Sequence, residues 1–246
     1  MSGHSKWSTI KHKKGAADAK RSKIFSKVSK EITIATKEGG SDPDMNPRLR
    51  LAIQNAKGVN MPKDVIERAV SKGDKDSSDL QESTFEGYLQ NGVAVFIECL
   101  SDNNNRTVSN VRAIFNKRGG SLGTNGSLSF IFERKGVFTI PAENIDPDEF
   151  ELEVIDAGAE EIERDDEFFI VTTALEDFGN VQKKLDELGI TPENAELRRI
   201  PNDTKELSLE DGQKIIRVIE EFEDDDDVQN VYHNLEMTDE LINSLE

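Results

Sequence analysis

The apolar residues of this chain change period near residue 76, and that change divides it. Before that point they recur at the 3.6-residue spacing of helices. From Gly15 to Glu38, on a helical wheel with Lys20 at zero, Ile24, Phe25, Val28, Ile32 and Ala35 fall between roughly 40° and 140°, at ~100° per residue. Lys20, Lys23, Lys27, Lys30 and Lys37 fall between roughly 260° and 360°. One face can pack while the opposite face presents ammonium groups. Gly39-Gly40 stops this helix. Asn46-Pro47 opens a second, with Asn46 as cap and Leu49, Ala52, Ile53 and Ala56 inward. Asn60-Met61-Pro62 opens a third, with Val65, Ile66, Ala69 and Val70 inward and Gly73 closing it. Residues 1–76 therefore form a basic three-helix domain, and the polar stretch 73–83 reads as a linker.

Beyond it, β-rich runs alternate with helical ones. Residues 85–89 and 93–100 suggest a hairpin turning at Gln90-Asn91-Gly92. A helix over 102–118 follows, capped by Asp102 or an adjacent Asn, and then a strand over 128–133. Residues 136–200 give strand, helix, two hairpin strands, helix and strand, which is the βαββαβ order of a ferredoxin-like unit. The tail from Ser208 supplies one helix (Ile215, Ile216, Val218, Ile219, Phe222) and one strand (228–235), too little to fold alone. It returns to complete the middle unit. The expected fold class is thus α+β: a three-helix domain (1–76), an α/β sandwich domain (84–134 plus 205–246) and a second one (135–204) inserted into it.

Charge is segregated across the same division. The chain has 246 residues and a net charge of −18, yet residues 1–75 carry +9 and residues 76–246 carry −27. Such asymmetry points to a basic nucleic-acid-binding part joined to an acidic body. Lys6, Lys11, Lys13, Lys14, Lys20, Arg21, Lys23, Lys27 and Lys30 lie within 25 residues, with Trp7 among them and Asp18 the one acid before residue 31. Phosphate binding needs cations spread along a surface, and an indole can stack on an unpaired base. Arg48, Arg50 and Arg68 extend the basic character over the next two helices, although Arg48 and Arg50 cannot share a face. The competing reading is a solvated helix with a basic arm that docks on the acidic body.

Other constellations carry less. Gly119 to Gly126 is glycine-rich but follows a helix and precedes a strand, the reverse of a phosphate loop, so a helix C-cap and turn explain it. Asp102-Asn103-Asn104-Asn105-Arg106-Thr107 fits a capping turn, with a recognition loop as the alternative. The acidic run 220–227 lacks calcium-loop spacing and reads as a solvated helix end. Cys99 is the only cysteine and sits in an apolar run, which suits a buried structural thiol. No His pair, serine elbow or nucleotide loop appears. Expected cofactors, metal ligands and catalytic residues are therefore none. No stretch approaches the ~20 apolar residues of a membrane helix, and a cytoplasmic protein without membrane or small-molecule partner is expected.

Several motifs together resemble one family. They are Gly3-His4-Ser5-Lys6-Trp7 with the lysines through Lys14, Asn55-Ala56-Lys57-Gly58-Val59-Asn60-Met61-Pro62, Glu86-Gly87-Tyr88, Asp102 to Thr107, and the Gly119–Gly126 loop running into Phe130. In order and over nearly the whole length they are similar to the YebC/PmpR proteins, whose mitochondrial relatives include the translational activator of cytochrome c oxidase subunit I. The resemblance implies one helical and two α/β domains, and no catalytic residues. It implies either a DNA-binding transcriptional regulator or a ribosome-associated translation factor that assists elongation through difficult, proline-rich stretches by binding rRNA or tRNA. A protein-interaction module without nucleic acid is the further alternative. No helix-turn-helix, zinc-finger or homeodomain signature is present, so shape recognition of folded RNA is physically as reasonable as operator reading.

Overall fold

Asn46 joins the first two helices. Its side chain accepts from Leu49 N (3.0 Å) and donates to the Ala35 and Gly40 carbonyls (2.7 and 2.8 Å). It caps one helix and satisfies the end of the one before it, although it is buried. The computed structural model describes residues 18–75, 79–164 and 167–245, with side chains described from residue 21. Helices α1 (Asp18–Gly39), α2 (Pro47–Gly58) and α3 (Lys63–Asp74) pack around Ile32, Ala35, Leu49, Ala56, Ile66 and Ala69. Phe25 and Val28 cover the near end of that core.

The remainder builds two four-stranded antiparallel sheets. In the first, β1 (Gln81–Tyr88) pairs β2 (Ala94–Ser101), with Phe85 opposite Ile97. A 3-10 turn at Gln90–Gly92 joins them, and Asn91 takes a positive φ of 60° there. Helix α4 (Asn104–Lys117) follows, capped by Asn103, which accepts from Arg106 N. The short β3 (Ser121–Leu122) pairs β1. After the second sheet, α7 (Leu209–Glu223) and β8 (Val228–His233) return, and β8 pairs β2, giving the order β3-β1-β2-β8. Val95, Ile97, Val111, Phe115, Ile219 and Phe222 fill the space between this sheet and its helices, with the Phe115 and Phe222 rings 4.9 Å apart. A last helix, α8 (Asp239–Ser244), adds Leu241 and Ile242 to that core.

The second sheet holds β4 (Phe132–Pro141), β5 (Ala159–Arg164), β6 (Phe168–Ala174) and β7 (Asn194–Pro201) in the order β5-β6-β4-β7, with α5 (Pro147–Asp156) and α6 (Phe178–Glu187) on one face. This is the ferredoxin-like βαββαβ arrangement, set between β3 and α7 of the first sheet, so the fold is α+β with one sandwich inserted in the other. The sheets meet where the Arg199 guanidinium lies 3.8 Å from the Phe96 ring centre.

Two expectations need correction. Residues 128–133 are not one strand. Leu128 N bonds the Glu86 carboxylate and Ile131 N bonds the Leu128 carbonyl, so this stretch turns until Phe132. From there β4 runs unbroken through residues 134 and 135 to Pro141, pairing Phe132 with Pro201. Residues 81–83, expected in a polar linker, are already strand. Their side chains are exposed or half-buried, while their backbone pairs with Ser101, Leu100 and Cys99.

Candidate nucleic-acid interface

Lys23, Lys27 and Lys30 stand on successive turns of α1, as the wheel requires, and all three meet the turn that ends α7. Lys23 Nζ lies 2.6 Å from Asp224 Oδ1. Lys27 Nζ donates to the Glu223 and Gln229 carbonyls at 3.1 and 3.4 Å. Lys30 Nζ donates to the Asp226 and Leu100 carbonyls at 2.7 and 3.3 Å and lies 3.5 Å from Asp227 Oδ1. A helix C-terminus leaves carbonyls without intrahelical partners and carries partial negative charge. The ammonium groups thus receive both the α7 terminus and the carboxylates beyond it.

At the centre sits Asp227, expected on a solvated helix end but buried. It follows Asp224, Asp225 and Asp226 and directly precedes the buried Val228 of β8, which draws it inward. Arg106 Nε and a terminal nitrogen reach its carboxylate at 2.9 and 2.7 Å, and Thr107 Oγ1 at 3.0 Å. Burial pushes the carboxyl upward, but hydrogen bonds from Arg106, Thr107 and Ser101 outweigh it and hold it below the usual carboxylate range. The bonds that Arg106 donates to Asp227 and Asp102 raise its own guanidinium. Only the adjacency of an acid run to an apolar strand start hinted at this role for Asp227.

The other expected contacts are dispersed. Arg21 is exposed, its guanidinium 5.3 Å from the Phe25 ring centre. Arg48 is spread among three carboxylates: Glu31 at 2.9 Å, Glu38 at 2.6 Å and Glu82. Its guanidinium, lowered by burial, is raised on balance by Glu31 and Glu82, and it ties α1, α2 and β1 together. Arg50 is exposed on α2. Arg68 is exposed on α3 beside Asp64, at 2.6 Å. Lys20 belongs to α1, but its side chain, like Lys6, Trp7, Lys11, Lys13 and Lys14, lies outside the described residues.

A cleft of about 920 Å³ opens between the helical unit and the acidic turn. Lys30, Arg68 and Lys72 line one side, and Asp102, Asp225 and Asp227 the other. Elsewhere, α2 lies against β7. Asn55 Nδ2 donates to the Ala195 carbonyl at 2.8 Å and its Oδ1 accepts from Ala195 N at 3.0 Å. Gly58 must be bare there, because a Cβ would overlap the Glu193 carbonyl oxygen.

The glycine-rich segment is a helix end, as expected. Gly119 takes φ +67°, and Gly120 N bonds the Phe115 carbonyl. What the sequence did not reveal is its anchor. Glu86 is buried, and its carboxylate accepts from Gly126 N and Leu128 N, both at 2.6 Å. Among the described residues no group of three or more His, Cys, Asp or Glu could hold a metal ion. No helix among them is long and apolar enough to cross a membrane.

Comparison with known proteins gives this geometry a context. The family model for the TACO1/YebC N-terminal domain matches residues 5–76, and that for the TACO1/YebC second and third domain matches residues 80–235. The chain belongs to the TACO1/YebC family. Curated TACO1/YebC relatives include a "probable transcriptional regulatory protein" of Amoebophilus asiaticus, 54% identical over 96% of this chain and 98% of that protein. Another of that description, from Fusobacterium nucleatum, is 47% identical over the full length of both. Among solved structures, a conserved hypothetical protein from Aquifex aeolicus shares the fold with a TM-score of 0.81 and 41% identity, covering 89% of this chain and 91% of that one.

Proposed function

We propose that this TACO1/YebC member is a non-enzymatic regulator of gene expression that binds nucleic acid through its amino-terminal unit. The observation that carries the reading is the reversal of charge, +9 over residues 1–75 against −27 over the rest. A polyanion is attracted to the cations of residues 1–75 and repelled by the two sandwiches, which orients it before any specific contact forms. The names of the relatives favour a transcriptional role, for which DNA is the polyanion in this reading. Lys6, Trp7, Lys11, Lys13, Lys14, Lys20, Arg21, Arg50 and Arg68 supply the contacts in this reading, joined by Lys23, Lys27 and Lys30 wherever the acidic turn yields. Arg48, held by three carboxylates, serves chiefly to brace the unit.

A specific observation favours a second reading, recognition of structured RNA such as rRNA or tRNA on the ribosome. Base reading in the major groove needs a helix with a free polar face. Here the α1 lysine face lies on the acidic turn, α2 is bonded to β7, and the exposed Arg68 of α3 already pairs with Asp64. Contacts to phosphates and shape suit this arrangement better than base edges do.

Sedimentation of a lysate on a sucrose gradient, with and without nuclease, separates the readings. Ribosome-bound protein that nuclease releases from polysomes supports translation. Enrichment at promoters after crosslinking supports transcription. Recovery with one stable protein partner and no nucleic acid rejects both.

A further inference from the structure

Three lysines that the charge pattern assigns to phosphate are held by this chain's own acidic turn. The turn imitates a nucleic-acid backbone in the relevant respects. It offers the Asp224 carboxylate and the Glu223, Asp224 and Asp226 carbonyls to Lys23, Lys27 and Lys30 at 2.6–3.3 Å, over three turns of one helix. Asp224 and Asp226 are exposed, Asp224 meeting Lys23 through its carboxylate and Asp226 meeting Lys30 through its carbonyl, whereas Asp227 is locked by Arg106 and Thr107. The outer acids are therefore available to compete, and the inner one fixes the turn in place. Lys23 and Asp224 keep 43% and 72% of their side-chain surface exposed, so water and salt reach this pair, and such pairs contribute little stability. A contact this weak yields readily to a polyanion.

We infer that the Asp224–Asp227 turn is an internal competitor for the polyanion-binding face of α1, so that nucleic acid gains Lys23, Lys27 and Lys30 as the helical unit separates from the anchored turn and the cleft between that unit and the first sheet widens. The inference rests on the nucleic-acid reading above and adds a regulatory step to it.

The test uses the full chain, a 20-base-pair duplex DNA and a hairpin RNA of equal charge. A water-soluble carbodiimide joins a carboxylate to an adjacent amine, and peptide mapping then reports the Lys23–Asp224 link. Lys184–Glu153, 2.8 Å apart in the inserted sandwich, is the internal control. The expected result is a Lys23–Asp224 link that falls at least about fivefold at saturating nucleic acid while the control link is unchanged. Asp224→Asn with Asp226→Asn tightens binding by about tenfold, which corresponds to ~1.4 kcal/mol. Asp148→Asn with Glu149→Gln removes the same charge from α5 and stays within about twofold of the parent. An undiminished link in the saturated complex, or equal tightening by the two double variants, overturns the internal competitor while leaving nucleic-acid binding intact. Absence of binding to either probe by parent and variants overturns both.

Discussion

Arg106 and Asp227, 121 positions apart, form a two-nitrogen contact of 2.9 and 2.7 Å that fastens the first turn of α4 to the turn between α7 and β8. Asp227 is buried, and Asn in its place leaves one oxygen where Arg106 and Thr107 now reach two. Arg106 keeps nearly half of its side chain in solvent, which moderates the cost. Asp227→Asn should destabilise the fold by about 2 kcal/mol, between a surface pair and a fully buried one. Urea unfolding at pH 7 measures it.

The same carboxylate sets an acid limit. Its folded value lies below the unfolded one, so its contribution is complete above the unfolded value of ~3.9 and disappears as pH falls through the folded value. Thermal melts should show the parent losing stability below about pH 4 and the Asp227→Asn difference shrinking there. A difference that grows with acid would contradict this assignment.

Glu86 predicts a local effect. Its two oxygens each receive a backbone amide of the 126–128 turn. Gln in its place can accept at one oxygen only and turns an NH2 toward the other donor. Glu86→Gln should cost about 1–3 kcal/mol and speed proteolytic cleavage near Asn125, without altering the helical unit. Limited proteolysis followed by mass spectrometry detects it.

Cys99 predicts silence. Burial first, then the nearby Asp225 and Asp227 charges, push its thiol up to about 12. The native protein should resist thiol reagents at pH 8 and react only on unfolding. Because the folded value exceeds the unfolded ~8.5, the thiol's contribution is complete below pH 8.5 and is lost as pH rises toward 12.

These residues differ in how far the sequence disclosed them. Asn46-Pro47, the α1 wheel and the βαββαβ order were legible because capping and periodicity are local. The return of β8 to β2 followed from the tail being too short to fold alone. Residues 128–133 misled because alternation marks a strand only if the backbone is free to extend, and Glu86, 42 positions earlier, holds the amide of Leu128. Asp227 was hidden within a charge run whose other members are solvated or half-exposed. The lysine face was legible as a face, but its neighbour was not. Which surface covers a cationic stripe depends on tertiary closure between residues about 200 positions apart.

Binding of nucleic acid by the amino-terminal cations is measured by titrating the full chain onto a 20-base-pair duplex across a salt series. About five of these cations on phosphate at one time predict a log–log slope near −4 to −5, and a shallower one on a single strand. Replacing Lys11, Lys13 and Lys14 with Gln should flatten that slope by about 3. No detectable binding to DNA, RNA or ribosomes in dilute buffer would contradict the account.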